Sequence, residues 1–137
     1  MKNLRINHPA VIILTVAYQL MAMAWYGIFA QQWMSLNNFT EADFTDQSPV
    51  PYIYAIITAL ITNYAFAVLF KKLKVEEVGL GIKVAALCWL GFTFAEISTI
   101  NMFSLNPFAL SLVDGGKSFL AFVISGIVLA SWKKYEK

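Results

Sequence analysis

Cysteine and histidine are almost missing from this chain: Cys88 and His8 are the only ones among 137 residues. One cysteine excludes a disulfide framework and a thiol pair for metal or redox chemistry. One histidine, at the start of the first apolar run, leaves a serine or cysteine nucleophile elsewhere without an imidazole base and a haem without an axial pair. Metal-ligand spacing is lacking as well, so no catalytic residue, metal site or cofactor is expected, and the chain does not read as an enzyme. Charge is scarce: Lys, Arg, Asp and Glu make up 13% of the residues, about half the share of a soluble domain. The net charge of +2 comes from lysines at segment ends rather than from a basic face, which argues against a nucleic-acid partner.

What is present is apolar. Hydrophobic residues account for 59%, and four runs reach the length of about 20 residues that crosses a bilayer: 9–30, 50–70, 78–102 and 108–132. They predict a single all-α transmembrane domain, a four-helix bundle whose first partner is the lipid bilayer. Lys2 and Arg5, an apolar run and then Ala22-Met23-Ala24 imitate a cleavable secretory signal. The run continues through Trp25, Tyr26, Ile28 and Phe29, so an uncleaved span is expected. Asn7-His8-Pro9, Ser48-Pro49 and Asn106-Pro107 place capping-type residues and proline where helices start. Lysines and arginine collect before span one, after span two and after span four, and the other two loops carry none. The positive-inside rule then places both termini and the middle loop in the cytoplasm. In the outer loop 36–49, Thr40 three residues before Asp43, with Phe39 and Phe44, predicts a short interfacial helical turn.

A shift of 64 residues aligns Ala22 with Ala86, Trp25 with Trp89, Gly27 with Gly91, Asn37 with Asn101 and Phe39 with Phe103. Gln32 then falls on Glu96. The bundle is therefore expected to consist of two helical hairpins forming a parallel repeat about an axis along the membrane normal. Trp25-Tyr26 followed by Phe29 and Trp33, Trp89-Leu90-Gly91-Phe92, and Asp114-Gly115 together resemble the family of domain of unknown function 1761. That resemblance implies a small four-span protein of a bacterial inner membrane and no established activity. The family's Ser-Pro after Trp-Tyr is Gly27-Ile28 here, and its aromatic and histidine in span four are Gly116-Lys117.

Four ionisable residues fall inside the spans: Lys83, Glu96, Asp114 and Lys117. Each costs about 2.5 to 3.5 kcal/mol at the bilayer centre on insertion scales, so each needs a partner, an exit to water or a function. Glu96 lies roughly 9 Å, and Asp114 and Lys117 roughly 10 to 15 Å, below the outer ends of their spans. Asp114 and Lys117 share a helix face that Ser118, Ala121 and Ser125 continue as small residues suited to close helix contact. Two readings follow. In one, a structural ion cluster of Glu96 or Asp114 with Lys117 fixes helix register in a structural or accessory protein. In the other, an outward-facing polar pocket binds or translocates a small ion, proton or polar molecule. Its residues would be Glu96, Asp114, Lys117, Gln32 and Asn101, with an aromatic wall of Trp25, Tyr26, Trp33 and Trp89. Lys83 is expected to snorkel to the headgroups or meet Glu76, and Asn63 and Tyr64 to bond across helices. Four short helices with small-residue faces also suggest a homodimer or another homo-oligomer.

Overall fold

A computed structural model describes residues 3–136. Helix α1 (His8–Ile28) starts where Asn7 accepts the Ala10 N–H through its side chain at 3.3 Å. The bend at Phe29 leaves the hydrogen-bond ladder intact, because Phe29 N–H donates to Trp25 O and Trp33 N–H to Phe29 O, at 2.9 and 2.8 Å. Helix α2 (Ala30–Asn37) therefore prolongs span one into the segment expected to be loop. The predicted interfacial turn is there: Glu41–Phe44 forms one tight helical turn. Span two is α3 (Val50–Leu73). Span three is α4 (Val78–Cys88), a single wide π-helical turn at Trp89–Phe94, and α5 (Ala95–Phe103); span four is α6 (Phe108–Ser131).

All four spans are long and apolar enough to cross a membrane, and their outward faces are hydrocarbon. Ile12, Ile13, Val16, Ile53, Ile57 and Leu87 are all exposed, as suits a solvent of lipid chains. A short antiparallel ribbon, β1 (Leu4–Arg5) with β2 (Lys134–Tyr135), ties the two ends of the chain together. The middle loop joins the same end: Lys133 donates to Glu76 O at 2.7 Å, Tyr135 to the Glu76 carboxylate at 3.2 Å, and Lys71 pairs with Glu136 at 3.4 Å. Both ends of the described chain and the middle loop thus lie at one pole of the bundle, with Arg5, Lys71, Lys72, Lys74, Lys133 and Lys134. Lys2 and Lys137 lie outside the described residues. The opposite pole carries the acidic turn with Glu41 and Asp43.

Helix α6 is the hub, packing on α1, α3, α4 and α5. The apolar core sits toward the basic pole, around Val11, Leu14, Phe66, Phe70, Leu129 and Ala130. Small residues let the backbones touch there. A Cβ on Gly81 would stand 2.5 Å from the Gly126 carbonyl oxygen, and one on Gly126 2.6 Å from that of Gly81, with Ala85 and Ala130 beside them. The small-residue faces read from the sequence are thus used between α4 and α6, and by the buried Ser118, Ala121 and Ser125 inside the bundle.

One polar knot interrupts the core. Asn63, 1% exposed, accepts the Ser125 hydroxyl at 2.7 Å and donates to Ala59 O at 3.0 Å, with Thr15 Oγ1 at 3.5 Å. Tyr64 meets His8 at 3.0 Å. Both residues bond across helices, as an amide or hydroxyl in hydrocarbon must. Beyond this knot α3 buries no side chain, although Gln19 of α1 still donates to Ala55 O at 3.2 Å: its buried residues run from Ala59 to Phe70, while every residue from Val50 to Thr58 is exposed.

Two measurements check these points. Gly81→Val or Gly126→Val overpacks a backbone contact and should destabilise the protein by about 1 to 3 kcal/mol in detergent unfolding. Gly79→Val, where a Cβ meets nothing within 4 Å, should leave stability unchanged. In the outer turn, hydrogen bonds from the Thr40 backbone N–H (2.7 Å) and hydroxyl (2.9 Å) hold the Asp43 carboxyl below the usual carboxylate range. A carboxyl with a lowered folded pKa stabilises the turn fully above the ordinary aspartate range and loses that contribution as pH falls through the lowered value. Protection factors at Thr40–Phe44, that is, exchange corrected for the pH dependence of the intrinsic rate, should fall on such acidification, and Asp43→Asn should show lowered protection already at neutral pH.

Candidate functional site

The four residues Asp114-Gly115-Gly116-Lys117 of α6 organise the half of the bundle nearer the acidic pole. Glycine here makes room for aromatic rings. A Cβ on Gly115 would lie 2.6 Å from the Phe94 ring, and one on Gly116 2.8 Å from the Trp25 ring. With those rings lying on the helix, the Trp25 indole N–H donates to Val113 O and that of Trp89 to Gly115 O, both at 2.9 Å. Trp89 stacks on Phe94 at 4.8 Å between centroids. Trp25 and Trp89, aligned by the 64-residue shift, thus both anchor to the same helix and act as struts rather than as the wall of a pocket.

Asp114 and Lys117, the glycines' neighbours, are half-buried and face α1. Tyr26 donates its hydroxyl to Asp114 Oδ1 at 2.6 Å. Lys117 Nζ stands over the rings of Tyr18 and Tyr26, 5.2 and 5.8 Å from their centroids, where the negative ring faces attract the ammonium. No carboxylate lies within 4.0 Å of it: among the described residues the ion pair is Lys71–Glu136 at the basic pole. Tyr26 therefore mediates between the two charges, and they do not touch.

Two grooves meet at these residues. The more polar one, about 490 Å³, runs over α6 between α1 and span three, with Asp114, Lys117 and Ser118 as floor and Asn37, Thr93 and Asn101 on its sides. The more apolar one, about 710 Å³, runs between α1 and the outer half of α3, past Ala22, Met23, Phe44 and Tyr52. Tyr18, Tyr26, Trp33 and Lys117 line both. Volumes of about 300 to 1,000 Å³ are those of small-molecule sites. Asn101 is buried and donates to Ser111 at 3.0 Å, leaving its oxygen as an acceptor beside the groove.

Of the residues singled out in the sequence, the structure brings Asp114, Lys117 and Asn101 together and leaves Glu96 and Gln32 apart. Both of these are exposed, and neither lines a groove. The wide turn is the reason for Glu96. In an unbroken helix Glu96 would lie within about 20° of the buried Ala85 and face α6. One π turn inserts an extra residue and rotates the following helix by about 100°, so Phe92, at 79% exposure, and Glu96 turn outward and Asn101 turns in. Of the two carboxylates weighed as partners of Lys117, neither Glu96 nor Asp114 lies within 4.0 Å of it. Lys83 is exposed, and Glu76 is engaged by Tyr135 and Lys133 instead. The sequence reading missed Tyr18 and Asn37. Gln19, Tyr26 and Trp33 recur every seven residues, a spacing that keeps one helix face, and this was the available sign of a lined groove along α1.

These features define a four-span helical membrane protein with a half-buried Asp–Tyr–Lys cluster beneath a groove. The chain belongs to the family described as protein of unknown function DUF1761, whose profile matches residues 9–130. No curated protein and no solved structure matches the chain.

Tyr26→Phe would strip the donor from Asp114 Oδ1 in a half-buried site and should cost about 1 to 3 kcal/mol of stability. Tyr18→Phe keeps its ring under Lys117 and should be close to neutral. Unfolding of both variants in the same detergent measures the difference.

Proposed function

We propose that this protein is a non-enzymatic integral membrane protein that binds a small ion or polar molecule, or passes it across the bilayer, at the cluster of Asp114, Lys117 and Tyr26. The observation that carries the reading is Lys117: a half-buried ammonium inside an apolar span, with no carboxylate of the described residues within 4.0 Å, bordering two grooves of ligand size. Intramembrane charges without a direct counter-ion mark binding sites and pathways. The abundance of lysine at one pole supports an orientation with both termini in the cytoplasm of a bacterial cell, and the cluster then opens toward the outer leaflet. Glu96 and Gln32 take no part. The cluster is formed within one copy, and a homodimer or other homo-oligomer stays part of the proposal.

The test uses wild type, Lys117→Gln and Asp114→Asn in detergent and in proteoliposomes. Thermal unfolding is followed with chloride, phosphate, ammonium and glycine, and proton or ion flux with an entrapped dye. A solute present at 100 times its dissociation constant adds about 2.7 kcal/mol. At least one solute should raise the unfolding temperature of wild type and fail to do so in Lys117→Gln. Variants that lose stability while every solute and flux response matches wild type would replace this reading with the accessory one, in which the cluster only holds helices together.

A further inference from the structure

At the basic pole the terminal ribbon sets Arg5 directly opposite Lys134. Residues opposite one another in an antiparallel pair project from the same face with Cβ atoms about 4.5 to 5.5 Å apart, and like charges so placed repel. A two-residue ribbon has little to set against that repulsion. We propose that the pair is a seat for the phosphodiester of an anionic bilayer lipid, whose negative charge lies between the two cations. The seat is at the far end of the bundle from Asp114 and Lys117 and does not depend on them.

The neighbouring charges are already engaged. Lys71 pairs with Glu136 at 3.4 Å and Lys133 donates to Glu76 O at 2.7 Å, whereas Arg5 and Lys134 have no carboxylate of the described residues within 4.0 Å. Helix dipoles do not supply a counter-charge either: α1 and α4 begin at this pole and α3 and α6 end there, so their opposite partial charges largely cancel. The pair thus lacks a counter-ion among the described residues.

A recess beside the ribbon fits that counter-ion. Arg5, Lys71, Lys133 and Lys134 line it and no described carboxylate does, while Phe70 and Leu129 belong to its apolar wall. Its volume of about 30 Å³ is that of about two waters at the roughly 10 to 15 Å³ each requires, which admits the free oxygens of a phosphate and excludes an acyl chain. The depth is that of headgroups. Trp132, 42% exposed just past the end of α6, lines the same recess, and tryptophan collects at the membrane interface. Arginine grips two phosphate oxygens at once, and lysine adds a point charge. Phosphatidylethanolamine and phosphatidylcholine carry an ammonium that would meet the same cations, so a head without one, such as that of phosphatidylglycerol, is selected.

For the test, the full chain in an uncharged detergent is titrated with phosphatidylglycerol, phosphatidylethanolamine and phosphatidylcholine, and bound lipid is read by native mass spectrometry. Ammonium acetate at roughly 0.5 M screens charges that are not in contact. Wild type should hold phosphatidylglycerol more tightly than either of the others. Arg5→Gln and Lys134→Gln should each lower that affinity about fivefold, the share of one cation at a headgroup, and Arg5→Lys should keep most of it. Lys72→Gln and Lys74→Gln, at the same pole but outside the recess, should leave it unchanged. Without lipid, Arg5→Gln and Lys134→Gln should unfold at or above the wild-type temperature, since each removes a repulsion, and this separates lost binding from lost folding. Equal affinity for the three lipids overturns the inference. So does an equal loss in Lys72→Gln and Lys74→Gln, the mark of a diffuse basic surface rather than a seat. If glycerol 3-phosphate, the head without its chains, displaces phosphatidylglycerol at equal concentration, the occupant is a soluble phosphate ester and the lipid is wrong.

Discussion

Inside hydrocarbon an amide must find partners, and the architecture turns on where Asn63 finds its own. Its contacts to Ser125, Ala59 and Thr15 draw α1, α3 and α6 to one point near mid-membrane. Leaving such a group unpaired costs a few kcal/mol in an apolar medium, so the crossing point is fixed more firmly than apolar packing between lipid-like surfaces could fix it. On the basic side of the knot, Phe66 packs on Phe70 and Phe122 and the core closes. On the other side α3 runs exposed from Val50 to Thr58, and Gln19 of α1 reaches its Ala55 carbonyl at 3.2 Å.

Helix α6 serves both halves with the same device at two sizes. Near the basic pole Gly126 meets Gly81 backbone to backbone, so α4 lies against it without an intervening side chain. At Gly115 and Gly116 the missing Cβ atoms admit aromatic rings instead, and Phe94 and Trp25 occupy the space. The indole N–H groups of Trp25 and Trp89 then bond to α6 carbonyls, which supports the floor of the groove from two sides. Rings in place of bare backbone widen the bundle at the level where Asp114 and Lys117 face inward.

Much of this was legible in the sequence, and the failures share a cause. Span positions follow from hydropathy, the start of α1 from Asn7 and Pro9, the outer turn from Thr40 and Asp43, and the bonding of Asn63 from the cost of an unpaired amide. Each of these signals is local. Glu96 was misplaced because its direction depends on helical phase accumulated from Ala85, and one wide turn at Trp89–Phe94 shifts that phase by about 100°. Nothing in "WLGFTF" announces such a turn beyond a single glycine. The grouping of Tyr18 and Tyr26 under Lys117 was equally hidden, since it needs the relative rotation of α1 and α6. The terminal ribbon joins residues more than a hundred positions apart and has no local signature in two-residue strands.

The separation of Asp114 from Lys117 is what distinguishes the cluster from a direct ion pair. A direct ion pair in the bilayer would satisfy both charges and leave little for a ligand to gain, because the Coulomb attraction at contact already offsets much of the desolvation. Here the Tyr26 hydroxyl takes one carboxylate oxygen while the rings of Tyr18 and Tyr26 hold the ammonium in place. Ring contacts contribute about 0.5 to 2 kcal/mol, less than the several kcal/mol that a desolvated ion loses. Lys117 therefore stays half-exposed at a groove, where its remaining N–H groups can still be solvated. The more polar groove, between α1 and span three, is the one that can solvate them. A charge pair held apart in a span requires a polar surrounding, and Asn37, Thr93, Asn101 and Ser118 of the groove between α1 and span three supply it.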